Sequence, residues 1–274
     1  MIGSIVWDVD PVLIHLGPLE IRWYGLMWGL GFILAYEMVS RLFKKEGYPD
    51  TWADKLFIYC IVSSILGARL GHCLFYEWDY YGAHPIEILK VWKGGLASHG
   101  GVFALILALV WYSKKVTHKS VWWLFDRMIP AVAVVCACIR FGNLMNSEIF
   151  GFPTTLPWGF EFIRSREWQE LYNQGGVAQA CHPTQIYEML YCITALAVSW
   201  FMYHKMYLQQ RIGLITGVSL LIFFGSRFAL EFMKNPQVAE EVGMTFNIGQ
   251  WLSVPLILLG FYLIFTSKKR KEAF

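Results

Sequence analysis

Residues 121–143 read VWWLFDRMIPAVAVVCACIRFGN, and this stretch decides the fold class. Crossing the hydrocarbon of a bilayer takes ~20 mostly apolar residues in a helix. The stretch is long enough, and it is uncharged between Arg127 and Arg140. An Arg in that setting costs ~2.5–3.5 kcal/mol on insertion scales, so it faces a bundle interior or a wet cavity. Six further runs have the same length and character: roughly 21–43, 52–75, 94–113, 183–203, 212–233 and 246–266. The expectation is an all-α polytopic membrane protein with seven transmembrane helices.

Composition agrees. Apolar residues make up 56% of the 274 and charged residues only 16%, against roughly a quarter in soluble domains. Aromatics reach 17%, rich in the Trp and Tyr that favour membrane–water boundaries. A net charge of +3 suggests no nucleic-acid partner. The first span follows Asp8 and Asp10, with neither a basic patch nor a small-residue cleavage motif, so a retained helix is expected rather than a signal peptide. Residues 1–274 are expected to form a single transmembrane catalytic domain. Its insertion, 144–182, is polar and aromatic, holds Pro153, Pro157, Gly175 and Gly176, and is expected as a small extracytoplasmic cap between helices 4 and 5. The six cysteines show no metal spacing, and most fall in apolar runs where Cys serves as a small hydrophobe.

Lys and Arg favour cytoplasmic flanks. With the amino terminus outside and the carboxyl terminus inside, thirteen fall inside, in groups around Arg41–Lys55, Lys114–Lys119, Lys205–Arg211 and Lys268–Lys271. Six fall outside: Arg22, Lys90, Lys93, Arg164, Arg166 and Lys234. The reverse orientation inverts that ratio. In the favoured one, Tyr24, Arg69, His72, His99, Arg140, Gln185, Glu188, Arg227 and Glu231 all fall toward the outer leaflet.

Several constellations there carry chemistry. Arg227, Glu231 and Lys234, spaced four and three apart, share a helix face. Glu231 between two cations stays ionised and fixes Arg227, whose remaining donors suit a phosphate. Arg140 and Asn143 are one turn apart, with Asn146, Glu148 and Gly151 following at the helix exit. Arg140 has no acid one turn before it, so a phosphate is its expected partner. Gly94-Gly95-Leu96-Ala97-Ser98-His99-Gly100-Gly101 opens the third span with small residues, and His99 is the group able to accept a proton near neutral pH. Gln185 and Glu188 share a face, and Tyr24 reads equally as an interfacial anchor. The residues alone imply chemistry on, or transport of, a phosphorylated amphiphile. The absence of internal repeats, and of polar groups at the midplane, disfavours a transporter.

The segment Arg140-Phe-Gly-Asn143-Leu-Met-Asn146-Ser-Glu148-Ile-Phe-Gly151 resembles the signature of the prolipoprotein diacylglyceryl transferases. The resemblance extends through Ile21–Gly25, Gly67–Arg69, Gly94–Gly101, Pro157-Trp158-Gly159, His182–Glu188 and Arg227–Glu231. It implies a bacterial cytoplasmic (inner) membrane enzyme. Such an enzyme moves the diacylglyceryl group of phosphatidylglycerol to the lipobox cysteine of a prolipoprotein signal peptide, forming a thioether and releasing glycerol phosphate. The resemblance implies no metal and no soluble cofactor. It matches Arg140 and Arg227 to essential arginines and His99 to a proposed base. Tyr24, Asn143, Asn146, Glu148, Gly151, Glu231 and Lys234 complete the expected phospholipid-binding set with Arg140. The chain differs from the family pattern at Ile139, Leu144, Phe223 and Lys234, where Gly, Phe, Tyr and Arg are common.

Overall fold

The computed structural model describes residues 4–17, 19–91, 94–166, 179–205, 210–234 and 244–270. Gly175, Gly176, Lys93 and Lys271 lie outside the described residues. Eight α-helices are described: α1 (Trp23–Lys45), α2 (Thr51–Phe75), α3 (Trp78–Ala83), α4 (Ser98–Tyr112), α5 (Val121–Met145), α6 (Thr184–His204), α7 (Leu214–Leu230) and α8 (Ile248–Thr266). All but the short α3 head stretches long and apolar enough to cross a membrane, seven in all. The seven-span expectation holds, with boundaries within a few residues. The third run starts late because Gly94 and Gly95 adopt φ of +83° and +68°, a left-handed turn open to glycine. Those two glycines therefore form a loop before α4 rather than its first turn.

Helices also extend beyond their apolar cores. A π turn, Ser113–Thr117, continues α4, and 3-10 turns Glu231–Met233 and Ser267–Lys269 follow α7 and α8.

The chain divides into two compact units, one formed by the chain up to Met38 together with Asp126–Arg270, the other by Val39–Phe125. In the first, Asp126 is buried and accepts hydrogen bonds from Gly213 N at 2.6 Å, Thr216 N at 2.8 Å and Thr216 Oγ1 at 2.6 Å. A carboxylate from α5 thus satisfies two backbone amides at the positive dipole end of α7. α7 and α8 approach closely through Gly217, whose added Cβ would stand 2.8 Å from Gly260 O. Arg270 donates to Ile212 O at 3.1 Å and to Leu263 O at 2.9 Å.

This unit also holds four short strands that hydropathy does not reveal. β1 (Ile5–Trp7) pairs in parallel with β4 (Phe160–Phe162), and β2 (Val12–Leu16) pairs antiparallel with β3 (Leu19–Arg22). Beside the β1–β4 pair, Leu144, Phe150, Phe160, Phe162 and Cys181 form a small core, with Trp7 and Ile186 packed against it. Arg164 is ion-paired to Asp8 and, at 3.1 Å, to Asp10. The Val12 amide, then Arg164, hold the Asp10 carboxyl below its usual range. The described part of 144–182 is thus a folded layer tied to the start of the chain.

In the second unit, α2 and α4 meet through glycine. A Cβ on Gly100 would stand 2.8 Å from Gly71 Cα and closer still to Gly67 O. Away from that contact, Phe43, Tyr48, Trp52 and Trp123 form an aromatic box, with Tyr48 stacked on Trp52 at 4.7 Å. Lys119 Nζ lies 5.4 Å from the Tyr48 ring, a cation over an aromatic face.

The glycine contact sets an expected outcome. Gly100→Val should lower stability by ~1–3 kcal/mol, the usual cost of overpacking, and reduce the thermal midpoint of the purified protein in detergent. Gly29→Ala, where an added Cβ meets nothing within 4 Å, should not. Equal midpoints for both variants would remove the close-packing account.

Candidate active site

The site begins where α5 ends. Arg140 and Asn143 lie on its last turns, with Arg140 Nη1 donating to Asn143 Oδ1 at 3.2 Å. The chain then turns sharply, with Ser147 at φ 54° and Ile149 at φ 61°. Left-handed backbone costs a β-branched residue ~1–3 kcal/mol unless its surroundings impose it. Those surroundings are visible. Thr184 Oγ1 donates to Ile149 O at 2.7 Å, and Gln185 Nε2 donates to Glu148 O at 2.7 Å. The start of α6 thus pins the turn from the side, and Glu148 points its carboxylate at Asn143 Nδ2 (3.0 Å) and Asn146 Nδ2 (3.2 Å).

One turn further along α6 sits Glu188, with no exposed surface. Its Oε2 is 2.7 Å from Arg140 Nε and its Oε1 is 2.6 Å from Lys234 Nζ. These contacts are ion pairs rather than well-aligned hydrogen bonds. Lys234 also lies 3.3 Å from Glu231 Oε1, which is 3.3 Å from Arg227 Nε. The result is a chain of alternating charge, Arg140–Glu188–Lys234–Glu231–Arg227. Asn247 Nδ2 holds the other oxygen of Glu231 at 3.0 Å, and Asn247 is itself fixed as the N-cap of α8 by a reciprocal pair with Gln250. Gly249 leaves room for that carboxylate, since a Cβ there would stand 2.8 Å from Glu231 Oε1.

Burial divides this chain of charges. Glu188, Lys234 and Glu231 are 0%, 4% and 7% exposed, whereas the Arg140 and Arg227 side chains retain 22% and 38%. The inner three groups, two carboxylates and one ammonium, carry a net charge of −1 that the two arginines at the ends offset. The two terminal guanidiniums are anchored through Nε, and Arg140 Nη2 and both Nη of Arg227 have no hydrogen-bond partner among the described residues. Fixed, partly exposed guanidinium donors are what bidentate binding of a phosphate requires.

Glycines let the surroundings close in. Gly142 receives Tyr24, whose Cδ2 would be 3.0 Å from an added Cβ. Gly151 bridges to Lys234. A Cβ on Gly151 would collide with Met233 O and stand 2.8 Å from Thr184 Cγ2.

Nine of the ten expected site residues therefore gather in one unit: Tyr24, Arg140, Asn143, Asn146, Glu148, Gly151, Arg227, Glu231 and Lys234. One expectation needs correction. Arg140 is not without an acid, because Glu188 meets it from α6, a partner that spacing within α5 cannot reveal. Arg69, which also falls toward the outer leaflet in the sequence, has every guanidinium nitrogen engaged. Its guanidinium is spent on four carbonyls, Ile88 O (3.0 Å), Glu87 O (2.7 Å), Gly94 O (2.6 Å) and Gly95 O (3.3 Å). It is a buried clasp over the Tyr81 ring at 4.8 Å. His99 belongs to that second unit, where its Nε2 is 3.1 Å from Tyr76 Oη. Glu188 and Asn247 contact the candidate site residues and were not among those expected from the sequence. The Asn247-x-x-Gln250 spacing marks a helix start but not the reach to Glu231.

Comparison with known proteins supplies a family. The family described as prolipoprotein diacylglyceryl transferase matches residues 11–266. The chain is 45% identical to a protein of Porphyromonas gingivalis over 97% of this chain and 95% of that one. It is 40% identical to one of Chloroherpeton thalassium over 98% and 96%, and 39% identical to one of Tolumonas auensis over 97% and 99%. All three are named phosphatidylglycerol–prolipoprotein diacylglyceryl transferase.

The charge chain makes Glu188 the residue whose loss should be felt most in folding. Removing one partner of a buried ion pair typically costs ~3–5 kcal/mol, because the other charge is left uncompensated. Glu188→Ala strands Arg140, leaves Lys234 with Glu231 alone, and is expected to lose a comparable amount in thermal unfolding. A midpoint equal to that of the unaltered protein would show that neither cation depends on it.

Proposed function

The chain belongs to the prolipoprotein diacylglyceryl transferase family, and we propose that Arg140 and Arg227 hold the phosphate of phosphatidylglycerol during the transfer. The protein is a membrane transferase that moves a diacylglyceryl group from phosphatidylglycerol to a prolipoprotein in lipoprotein maturation. The observation that carries the assignment of the site is the pair of partly exposed guanidiniums, each fixed through Nε to a buried carboxylate and each with Nη donors unspent.

The acceptor is a lipobox cysteine thiol at the outer end of a signal peptide. A free thiol has a pKa of ~8.5, so only a few per cent is thiolate at neutral pH, and a base is needed. His99 takes that role. The sulfur attacks the glyceryl carbon that bears the phosphate, an S–C bond forms, and the C–O bond breaks with its electron pair on the phosphate oxygen. Glycerol phosphate leaves, and the thiol proton passes to His99 and then to water. Negative charge grows on the leaving phosphate, and donors already aimed at such charge are the largest lever a site has. Arg140 and Arg227 supply them. Tyr24, Asn143, Asn146, Glu148, Gly151, Glu231 and Lys234 shape and hold the headgroup site. No metal or soluble cofactor enters this scheme.

The whole chain acts as one catalytic domain in the bacterial cytoplasmic membrane, with the amino terminus outside, the carboxyl terminus inside and 144–182 as the extracytoplasmic cap. The Lys and Arg distribution supports this orientation. Reporter fusions at Lys114 and at Lys268 should both read cytoplasmic, and an external signal from either would reverse the assignment.

The assignment of the site is tested by mass spectrometry of a lipobox peptide incubated with purified protein and phosphatidylglycerol. The unaltered protein should add a diacylglyceryl mass to the cysteine. Removing one donor to developing charge costs ~10²–10³ in rate, so Arg140→Ala and Arg227→Ala should each lose at least that much while folded protein accumulates. Arg140→Lys keeps the charge but not the fork and should recover little. Transfer near the unaltered level in Arg140→Ala would remove the phosphate clamp.

A further inference from the structure

Beside the clasp of Arg69, three rings stand in sequence. His72 packs over Gly95, where an added Cβ would lie 2.6 Å from the imidazole. Tyr76 stacks on His72 with centroids 5.8 Å apart and planes 15° apart. Tyr76 Oη then reaches His99 Nε2 at 3.1 Å. The far side of this stack is held by Glu77, whose Oε1 is 3.5 Å from His72 Nε2. Arg69 ties down the loop that leads into α4 through Gly94 O and Gly95 O, and His99 is on the first turn of that helix. The phenol is therefore fixed from below by a stacked ring, and the imidazole is fixed from behind by its own loop.

A neutral imidazole has one nitrogen that donates and one that accepts, and the hydrogen bond made by one decides the state of the other. Were the Tyr76 hydroxyl to donate to Nε2, Nδ1 would carry the proton and neither nitrogen could accept another. With Nε2–H donating to the phenol oxygen, Nδ1 keeps its lone pair, and Nδ1 has no partner among the described residues. We propose that Tyr76 is a positioning residue that accepts Nε2–H of His99 and so presents Nδ1 as the proton acceptor for the substrate thiol. The inference rests on the role of His99 as the base.

In the step it serves, the thiol proton moves to Nδ1 as sulfur bonds to the glyceryl carbon and the phosphate departs with the C–O electron pair. The imidazolium so formed donates from both nitrogens, one still to Tyr76, and returns the new proton to water.

The test combines kinetics with spectroscopy on the full-length protein in detergent. Tyr76→Phe keeps the ring and its stacking on His72 and removes only the hydroxyl. Loss of a group that orients an acting residue typically costs ~10–100-fold. The expectation is a kcat at least tenfold lower with KM for phosphatidylglycerol changed less than twofold. In a His99→Gln background the same substitution should cost nothing further, because the interaction it serves is already gone. Imidazole 15N shifts should show the Nε2–H tautomer of His99 in the unaltered protein and a mixture in Tyr76→Phe.

An unchanged kcat in Tyr76→Phe alongside an inactive His99→Gln would overturn the proposal and leave the base role standing. So would multiplicative losses in the double variant, an effect confined to KM, or an Nδ1–H tautomer in the unaltered protein. Should His99→Gln prove too slow for the double comparison, the tautomer decides alone. Full activity in His99→Gln would instead overturn the base role itself, and Tyr76 with it.

Discussion

A carboxylate with no exposed surface, Glu188, meets a guanidinium at 2.7 Å and an ammonium at 2.6 Å, and the arrangement of the first unit depends on that contact. An isolated carboxylate away from water costs several kcal/mol even after relaxation. It is tolerated here because α5 and the end of α7 each bring a cation to the same point on α6. Three helices are thereby fixed in register by charge rather than by apolar packing, which discriminates poorly between rotated helices surrounded by lipid. Around that point the small residues acquire their meaning. Gly142, Gly151 and Gly249 stand where a Cβ would displace Tyr24, Met233 or the Glu231 carboxylate.

The same contact bears on the proposed phosphate clamp. Each arginine at the ends of the charge chain spends Nε on a buried acid, so its orientation is set before any substrate arrives. Preorganised donors need no rearrangement as charge develops, which is the condition under which they contribute most. The left-handed turn through Ser147 and Ile149 works toward the same end. It costs conformational energy, offset by hydrogen bonds from Thr184 and Gln185, and it delivers the Glu148 carboxylate to two amides instead of to solvent.

Much of this was legible in the sequence because a membrane protein advertises both its spans and its exceptions. Seven apolar runs gave seven helices, since every backbone polar group in hydrocarbon must be satisfied within its own segment. Arg140, Arg227, Glu231 and Lys234 stood out because charge in such runs is costly, and they do gather. The strands β1 and β4 were not legible. Each is three residues long, and they pair in parallel across more than 150 residues, so no local periodicity announces them. The roles of Glu188 and Asn247 were hidden for a related reason. Spacing within one helix reveals neighbours three or four residues away, whereas these residues act on a different helix from their own.

Arg69 and Arg140 contrast an arginine whose nitrogens are all engaged with one that keeps a nitrogen to spare. Both lie late in spanning helices, and both look equally expensive in a hydropathy plot. Arg69 is 2% exposed and directs its donors at backbone carbonyls, which a guanidinium satisfies by geometry without any gain or loss of charge during a reaction. Its work is to close the loop between α2 and α4, a task that a bound anion would only disrupt. Arg140 keeps part of its surface and one terminal nitrogen unspent, and its neighbours are acids and amides whose own partners are already fixed. The number of donors left over, read together with the exposure of the group that owns them, therefore distinguishes the two where burial cost alone does not. By that measure Arg227, anchored by one nitrogen and more exposed than Arg140, stands with Arg140 as a candidate to hold an anion.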